Sequence, residues 1–131
     1  MFRVGVDMIE VARIQRAQER YGERFYARFF TPTEREQARD VPARLAARFA
    51  AKEAVAKALG TGIGDVAWLE IEVVTGERGR PHVRLHGEAA RLAAELGLAE
   101  WQISLSHTRE HALAFVVAFG GTKRNLTSAQ E

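Results

Sequence analysis

The run Pro42–Leu59, PARLAARFAAKEAVAKAL, constrains this chain more than any other stretch. Pro42 suits the first turn of a helix, alanine fills the interior, and Gly60 follows as a stop signal. At about 100° per residue, Ala43, Ala47, Ala50, Ala51, Ala54 and Ala58 cover one broad face, while Leu45, Phe49 and Ala56 cover another. A helix that is apolar on most sides must be covered on most sides, so the remainder of the chain is expected to pack around it. Glu53 and Lys57 lie in the narrow gap between the two faces. At 131 residues there is room for one domain.

The flanking sequence supplies the cover. Residues 2–9, FRVGVDMI, read as a strand that Asp7 interrupts, and residues 10–20 switch to helical spacing. Gly22 breaks that helix, Phe25, Phe29 and Phe30 suggest a further short turn, and Thr31-Pro32-Thr33-Glu34 opens another helix. Residues 67–74 alternate apolar and acidic, which predicts a strand with Glu70 and Glu72 facing outward. A turn at 76–81 leads to a strand at 82–86, whose His82 and His86 read as surface residues, then to an amphipathic helix at 87–97. Strands at 101–106 and 112–119 are joined by His107-Thr108-Arg109-Glu110-His111. The pattern is α+β: a small, antiparallel-rich sheet with a long central helix, in a single domain over residues 1–120. Residues 121–131 have no apolar periodicity and read as a flexible tail.

No cysteine is present, which removes disulfides, thiolate metal sites and a cysteine nucleophile together. No stretch approaches the ~20 apolar residues of a membrane span. Asp7 and Glu10 stand where a signal peptide would need an apolar core, so a soluble, cytoplasmic protein without membrane partners is expected. Residues 1–60 carry twelve Lys and Arg against eight Asp and Glu, whereas residues 61–131 carry seven against nine. An anionic partner is therefore expected to dock on the N-terminal half.

Asp7 places a carboxylate in an apolar strand, either turned to solvent or capping the next helix, or held there as a hard-cation ligand. Glu53 either pairs with Lys57 one turn on, or joins Asp7 as a two-carboxylate Mg²⁺ site completed by substrate phosphates. Lys57 would then meet those phosphates. Gly60-Thr61-Gly62-Ile63-Gly64 follows directly, with more glycine than a helix stop requires; such runs let backbone N–H groups approach a phosphate. It is not a P-loop, because the lysine and the helix precede the glycines. Arg13, Arg16, Arg20, Arg24 and Arg28 form a basic stripe, offset locally by only Glu19 and Glu23. It is either a solvated face or a surface for an acidic helix or a nucleic-acid backbone.

Three motifs in order complete the reading. Val4-Gly5-Val6-Asp7-Met8-Ile9-Glu10 comes first, then Arg48-Phe49-Ala50-Ala51-Lys52-Glu53-Ala54 with Lys57-Ala58-Leu59-Gly60-Thr61-Gly62-Ile63-Gly64, then Ser104-Leu105-Ser106-His107-Thr108. From about residue 3 to 120 the chain closely resembles the small bacterial 4′-phosphopantetheinyl transferases that make holo-acyl carrier protein. The resemblance implies the fold of that family, a homotrimer with sites between subunits, and a role in fatty acid biosynthesis. It implies Mg²⁺-dependent transfer of 4′-phosphopantetheine from coenzyme A to a serine of apo acyl carrier protein, releasing adenosine 3′,5′-bisphosphate. By the same resemblance Asp7 and Glu53 hold Mg²⁺ and act with Lys57 in catalysis, the serine proton going to Glu53 or to a metal-bound water. Arg48, Lys57, Gly60, Thr61, Gly62, Ile63, Pro81, His107 and Thr108 match coenzyme A-binding segments, and Arg13, Arg24 and Arg28 are the docking arginines for the carrier protein. Ala47 departs from a common glycine, and Arg80 from a frequent lysine.

A rival reading is a non-enzymatic basic module that binds nucleic acid. The arginine stripe and a pI near 9.4 favour it. The net acidic second half and the lack of an aromatic stacking platform oppose it, and no nucleic-acid partner is expected.

Overall fold

A computed structural model describes residues 1–121. The expected tail lies outside them except for Gly121. The long helix is α4, Pro42–Ala58, following β1 (Phe2–Glu10), α1 (Val11–Tyr21), α2 (Glu23–Phe29) and α3 (Pro32–Ala38). After it come β2 (Ile71–Thr75), β3 (Pro81–Leu85), α5 (Gly87–Glu95), β4 (Glu100–His107) and β5 (His111–Phe119). The fold is α+β, as the sequence predicts. Its strands divide into two antiparallel sheets, β1-β5-β4 and β2-β3.

The three-stranded sheet lays one face on α4. Ile9 of β1 and Ala112, Ala114, Val116 and Ala118 of β5 are buried there with Ala46, Ala50, Ala54 and Val55 of the helix. Small side chains on both sides bring the layers close. At Gly5 a Cβ would stand 1.9 Å from the Ala54 carbonyl oxygen, so only glycine fits. The other face is left open: Phe2, Val4, Val6, Met8, Leu113 and Phe115 are all exposed, from 39% to 73%.

The short elements are set by local chemistry. Gly22, at φ +54°, ends α1 and begins α2. Thr31 caps α3 in a reciprocal box: its hydroxyl accepts from Glu34 N, and the Glu34 carboxylate accepts from Thr31 N. Arg35 braces this corner, binding Glu23 and Asp40 with its guanidinium 4.0 Å from the Tyr26 ring centroid. Gln18 of α1 donates to the Tyr26 hydroxyl and to Asp40 O.

The strand expected at 67–74 is corrected. Trp68–Glu70 form a turn of 3₁₀ helix, and β2 begins only at Ile71. Glu70 is half-exposed on that turn, accepting from Ala67 N and Glu88 N, so it caps both the turn and α5. Glu72 is only 6% exposed rather than outward. Thr31 covers it, donating its hydroxyl at 2.6 Å, and His86 meets its other oxygen at 3.0 Å. His82 and His86 are exposed as expected. The boundaries of the remaining elements move by one or two residues. No helix among the described residues is long and apolar enough to cross a membrane.

Candidate active site

Strand alternation turns Asp7 toward α4, on the same face as Gly5 and Ile9. The close approach at Gly5 lets the Asp7 carboxylate meet the Lys57 ammonium at 3.0 Å, and Lys57 also donates to Val6 O at 3.0 Å. Asp7 therefore neither caps the following helix nor stands free in solvent. The i,i+4 pair between Glu53 and Lys57 does not form, because Lys57 reaches across to the strand. Glu53 is half-buried and has no ion pair among the described residues. Burial, and then the Asp7 charge, raise its pKa above the ordinary value, while Lys57 and Arg13 pull the other way. Two carboxylates that repel each other in a partly desolvated place favour a bound cation. No group of three or more His, Cys, Asp or Glu is placed to hold a metal ion among the described residues. Two carboxylates fit Mg²⁺, which keeps waters and phosphate oxygens as its other ligands, and do not complete a zinc site.

The glycine segment follows the C-terminus of α4, where the helix dipole is negative. The N–H groups of Gly60 and Thr61 are engaged with Lys57 O and Ala56 O. Of the four loop residues expected at a phosphate, Gly62 and Ile63 therefore carry the available amides. Positive charge comes from Lys57 and from Arg3, whose guanidinium binds Ala58 O at 3.3 Å and crowds Gly60. Sequence reasoning passed over Arg3. Its signal was the period of two that puts it on the Asp7 face.

A second set gathers elsewhere. Arg48 precedes Lys57 by nine residues, about 900° of rotation, and so points from the opposite side of α4. It is 6% exposed, donates to Arg44 O and to the Thr75 hydroxyl, and its Nε has no partner among the described residues. With Pro81, Gln37, Thr75, Ile103 and Ser104 it lines a cleft of about 440 Å³ between β3 and β4. Thr75 gave no sequence signal. His107 and Thr108 close the far end of β4: Thr108 N donates to His111 O, and its hydroxyl oxygen accepts from Glu110 N and His111 N. The register β1-β5-β4 aligns Ile9, Ala112 and His107, which sets His107 two strands from β1, roughly 10 Å at ~4.8 Å per strand. Asp7, Glu53, Lys57 and the glycine segment thus occupy the β1 edge of the sheet, and Arg48, Pro81, His107 and Thr108 its β4 side.

The arginine stripe is bent. Arg13, Arg16 and Arg20 lie on α1, Arg24 and Arg28 on α2, with Gly22 between. Arg24 and Arg28 border a cavity of about 430 Å³ with Tyr21, Phe25 and Phe29, so aromatic surface lies among the charges. Arg13 is close enough to Glu53 for its charge to act there.

Residues 3–116 match the 4′-phosphopantetheinyl transferase superfamily. The chain belongs to that superfamily. It is 49% identical over 127 residues to the holo-(acyl-carrier-protein) synthase of Herpetosiphon aurantiacus, covering 92% of this chain and all of that one. Among solved structures, the Helicobacter pylori holo-(acyl-carrier-protein) synthase in complex with coenzyme A superposes with a TM-score of 0.82 at 30% identity, over 88% of this chain and 99% of that one. The Neisseria meningitidis synthase gives 0.80 at 35% identity, over 89% and 97%.

Proposed function

We infer that this chain is a holo-(acyl-carrier-protein) synthase, transferring 4′-phosphopantetheine from coenzyme A to a serine of apo acyl carrier protein. The observation that carries the reading is the convergence of Asp7, Glu53 and Lys57 at the β1 edge, beside a glycine segment and Arg3. The serine oxygen attacks the phosphorus bearing the pantetheine arm. The bond from that phosphorus to the bridging oxygen breaks, and adenosine 3′,5′-bisphosphate departs with the electron pair. Asp7 and Glu53 would hold Mg²⁺, which when bound neutralises charge on the pyrophosphate. Lys57 leaves its contact with Asp7 to donate to phosphate oxygens, joined by the amides of Gly62 and Ile63. Glu53 is the carboxylate placed to receive the serine proton. Arg48, Pro81, His107 and Thr108 bind the nucleotide end of coenzyme A. Arg13, Arg24 and Arg28 dock the acidic carrier, and the nearness of Arg13 to Glu53 favours delivery of the serine to the metal side. Residues 1–120 act as one transferase domain, in the cytoplasm, serving fatty acid biosynthesis.

The working form is a homotrimer. Two features support it: the exposed apolar face of β1 and β5, and the separation of the two residue sets to opposite sides of the sheet. Packing copies through that face brings the β1 edge of one chain to the β4 side of the next and completes each site from two chains. The test is mass spectrometry of apo acyl carrier protein after incubation with the protein, coenzyme A and Mg²⁺. Gain of one phosphopantetheine supports the reading; an unmodified carrier, with the protein folded, rejects it.

A further inference from the structure

We propose that the buried Glu34–Lys52 pair is a positioning device that fixes where α4 presents Glu53 and Arg48 to the two halves of the site. The proposal rests on the transferase reading above.

Both side chains are fully buried, with Lys52 Nζ 2.7 Å from Glu34 Oε1. The other two ammonium protons go to Ile71 O at 2.6 Å and Trp68 O at 3.0 Å. The Glu34 carboxylate also accepts from Thr31 N at 2.9 Å and Val73 N at 2.8 Å. One point thus joins the start of α3, the middle of α4, the turn that follows the glycine segment, and β2. Stability alone is a weak reason for such a pair, since apolar residues of similar volume often serve as well.

What apolar contact does not supply is direction. The buried faces of α4 are mainly alanine, with Ala46, Ala47, Ala50, Ala51, Ala54, Ala56 and Ala58 covered. Methyl groups resist rotation and sliding of the helix weakly. Three directed bonds from Nζ resist both. Lys52 immediately precedes Glu53 and lies one turn after Arg48, so its placement sets theirs. Glu34 also acts on Arg48 through its charge while its hydrogen bonds go elsewhere. That charge partly balances the Arg48 cation, whose Nε is buried without a hydrogen-bond partner among the described residues. A misplacement of ~1 Å in a preorganised site costs on the order of a hundredfold in rate.

The test compares Glu34→Asp, which keeps both charges but withdraws the carboxylate by one methylene, and the double variant Glu34→Gln with Lys52→Met. Val55→Ala serves as a control that opens the same helix's core without touching the pair. Mn²⁺ binding by electron paramagnetic resonance and coenzyme A binding by calorimetry are measured beside turnover and melting temperature. Both pair variants are expected to stay folded, to bind Mn²⁺ at least tenfold more weakly, and to lose kcat/KM for coenzyme A by at least thirtyfold. Val55→Ala should stay within about threefold of wild type on each count, at an equal or larger loss of melting temperature. The proposal is overturned if the pair variants keep wild-type Mn²⁺ and coenzyme A affinity, if Val55→Ala loses as much as they do, or if neither pair variant folds. Wild-type protein that neither binds Mn²⁺ nor modifies the carrier would instead overturn the transferase reading.

Discussion

At Glu53 the proposed role conflicts with stability. Its pKa is raised in the fold, by burial and by Asp7, so folding favours the protonated form. That favourable contribution is complete below the unfolded pKa and is lost as pH rises through the higher folded value. Glu53→Gln should therefore melt higher than wild type at neutral pH. The gain should fade below about pH 4, where the unfolded chain's glutamate is protonated as well. Calorimetry of the two proteins across pH checks this, and an equal gain at all pH values would contradict it. The same variant, and Asp7→Ala, should lose most Mg²⁺-dependent transfer, at least about a hundredfold. Asp7 and Glu53 were legible in the sequence because each is a carboxylate in an apolar element. The partner of Lys57 was not legible. The i,i+4 rule favoured Glu53, and only the packing of β1 on α4 at Gly5 shows that Asp7 takes the ammonium.

Among the elements, β1 and α4 depend on one glycine. Gly5→Ala would push a methyl group into the Ala54 carbonyl, and overpacking of this kind costs roughly 1–3 kcal/mol. The strand should also move outward, drawing Asp7 from Glu53, so transfer should fall further than the melting temperature accounts for. Activity measured well below the melting transition separates the two effects. The two basic helices give a second expectation. Arg24→Glu with Arg28→Glu should raise KM for the carrier about tenfold and leave KM for coenzyme A unchanged, since docking charges act on association. Parallel titrations of the two substrates decide it. The helices and the long strands were legible from periodicity and from Gly22, Pro32, Pro42 and Gly60. The inward turn of Glu72 was not, because α3 lies over β2 and strand alternation carries no sign of a covering helix.

At the scale of the whole molecule, the two residue sets lie toward opposite edges of the sheet β1-β5-β4. If sites form between chains, two defective variants should rescue each other. Asp7→Ala lacks the first half and Arg48→Ala the second, so each alone should be nearly inactive. Unfolded together in equal amounts and refolded, they should recover about one quarter of wild-type activity, the chance that an intact first half meets an intact second half in a ring of independent neighbours. No recovery, from mixtures shown to contain both chains in one particle, would place a complete site on each chain. The sequence carried this division only through family likeness. Which side of α4 and which strand edge a residue occupies depends on the sheet order β1-β5-β4.

The corner at Gly22 has its own consequence. Arg35 grips Glu23 and Asp40, and Gln18 ties α1 to the Tyr26 hydroxyl and to Asp40 O, so the angle between α1 and α2 is braced from behind. A carrier docking there, as proposed, would therefore meet a braced bevel. It loses no hinge freedom on seating, and it cannot coax the two arms into line with itself. Candidates are sorted by contour before charge is counted: a straight acidic rod rests on one arm, whereas a surface with a matching notch engages both.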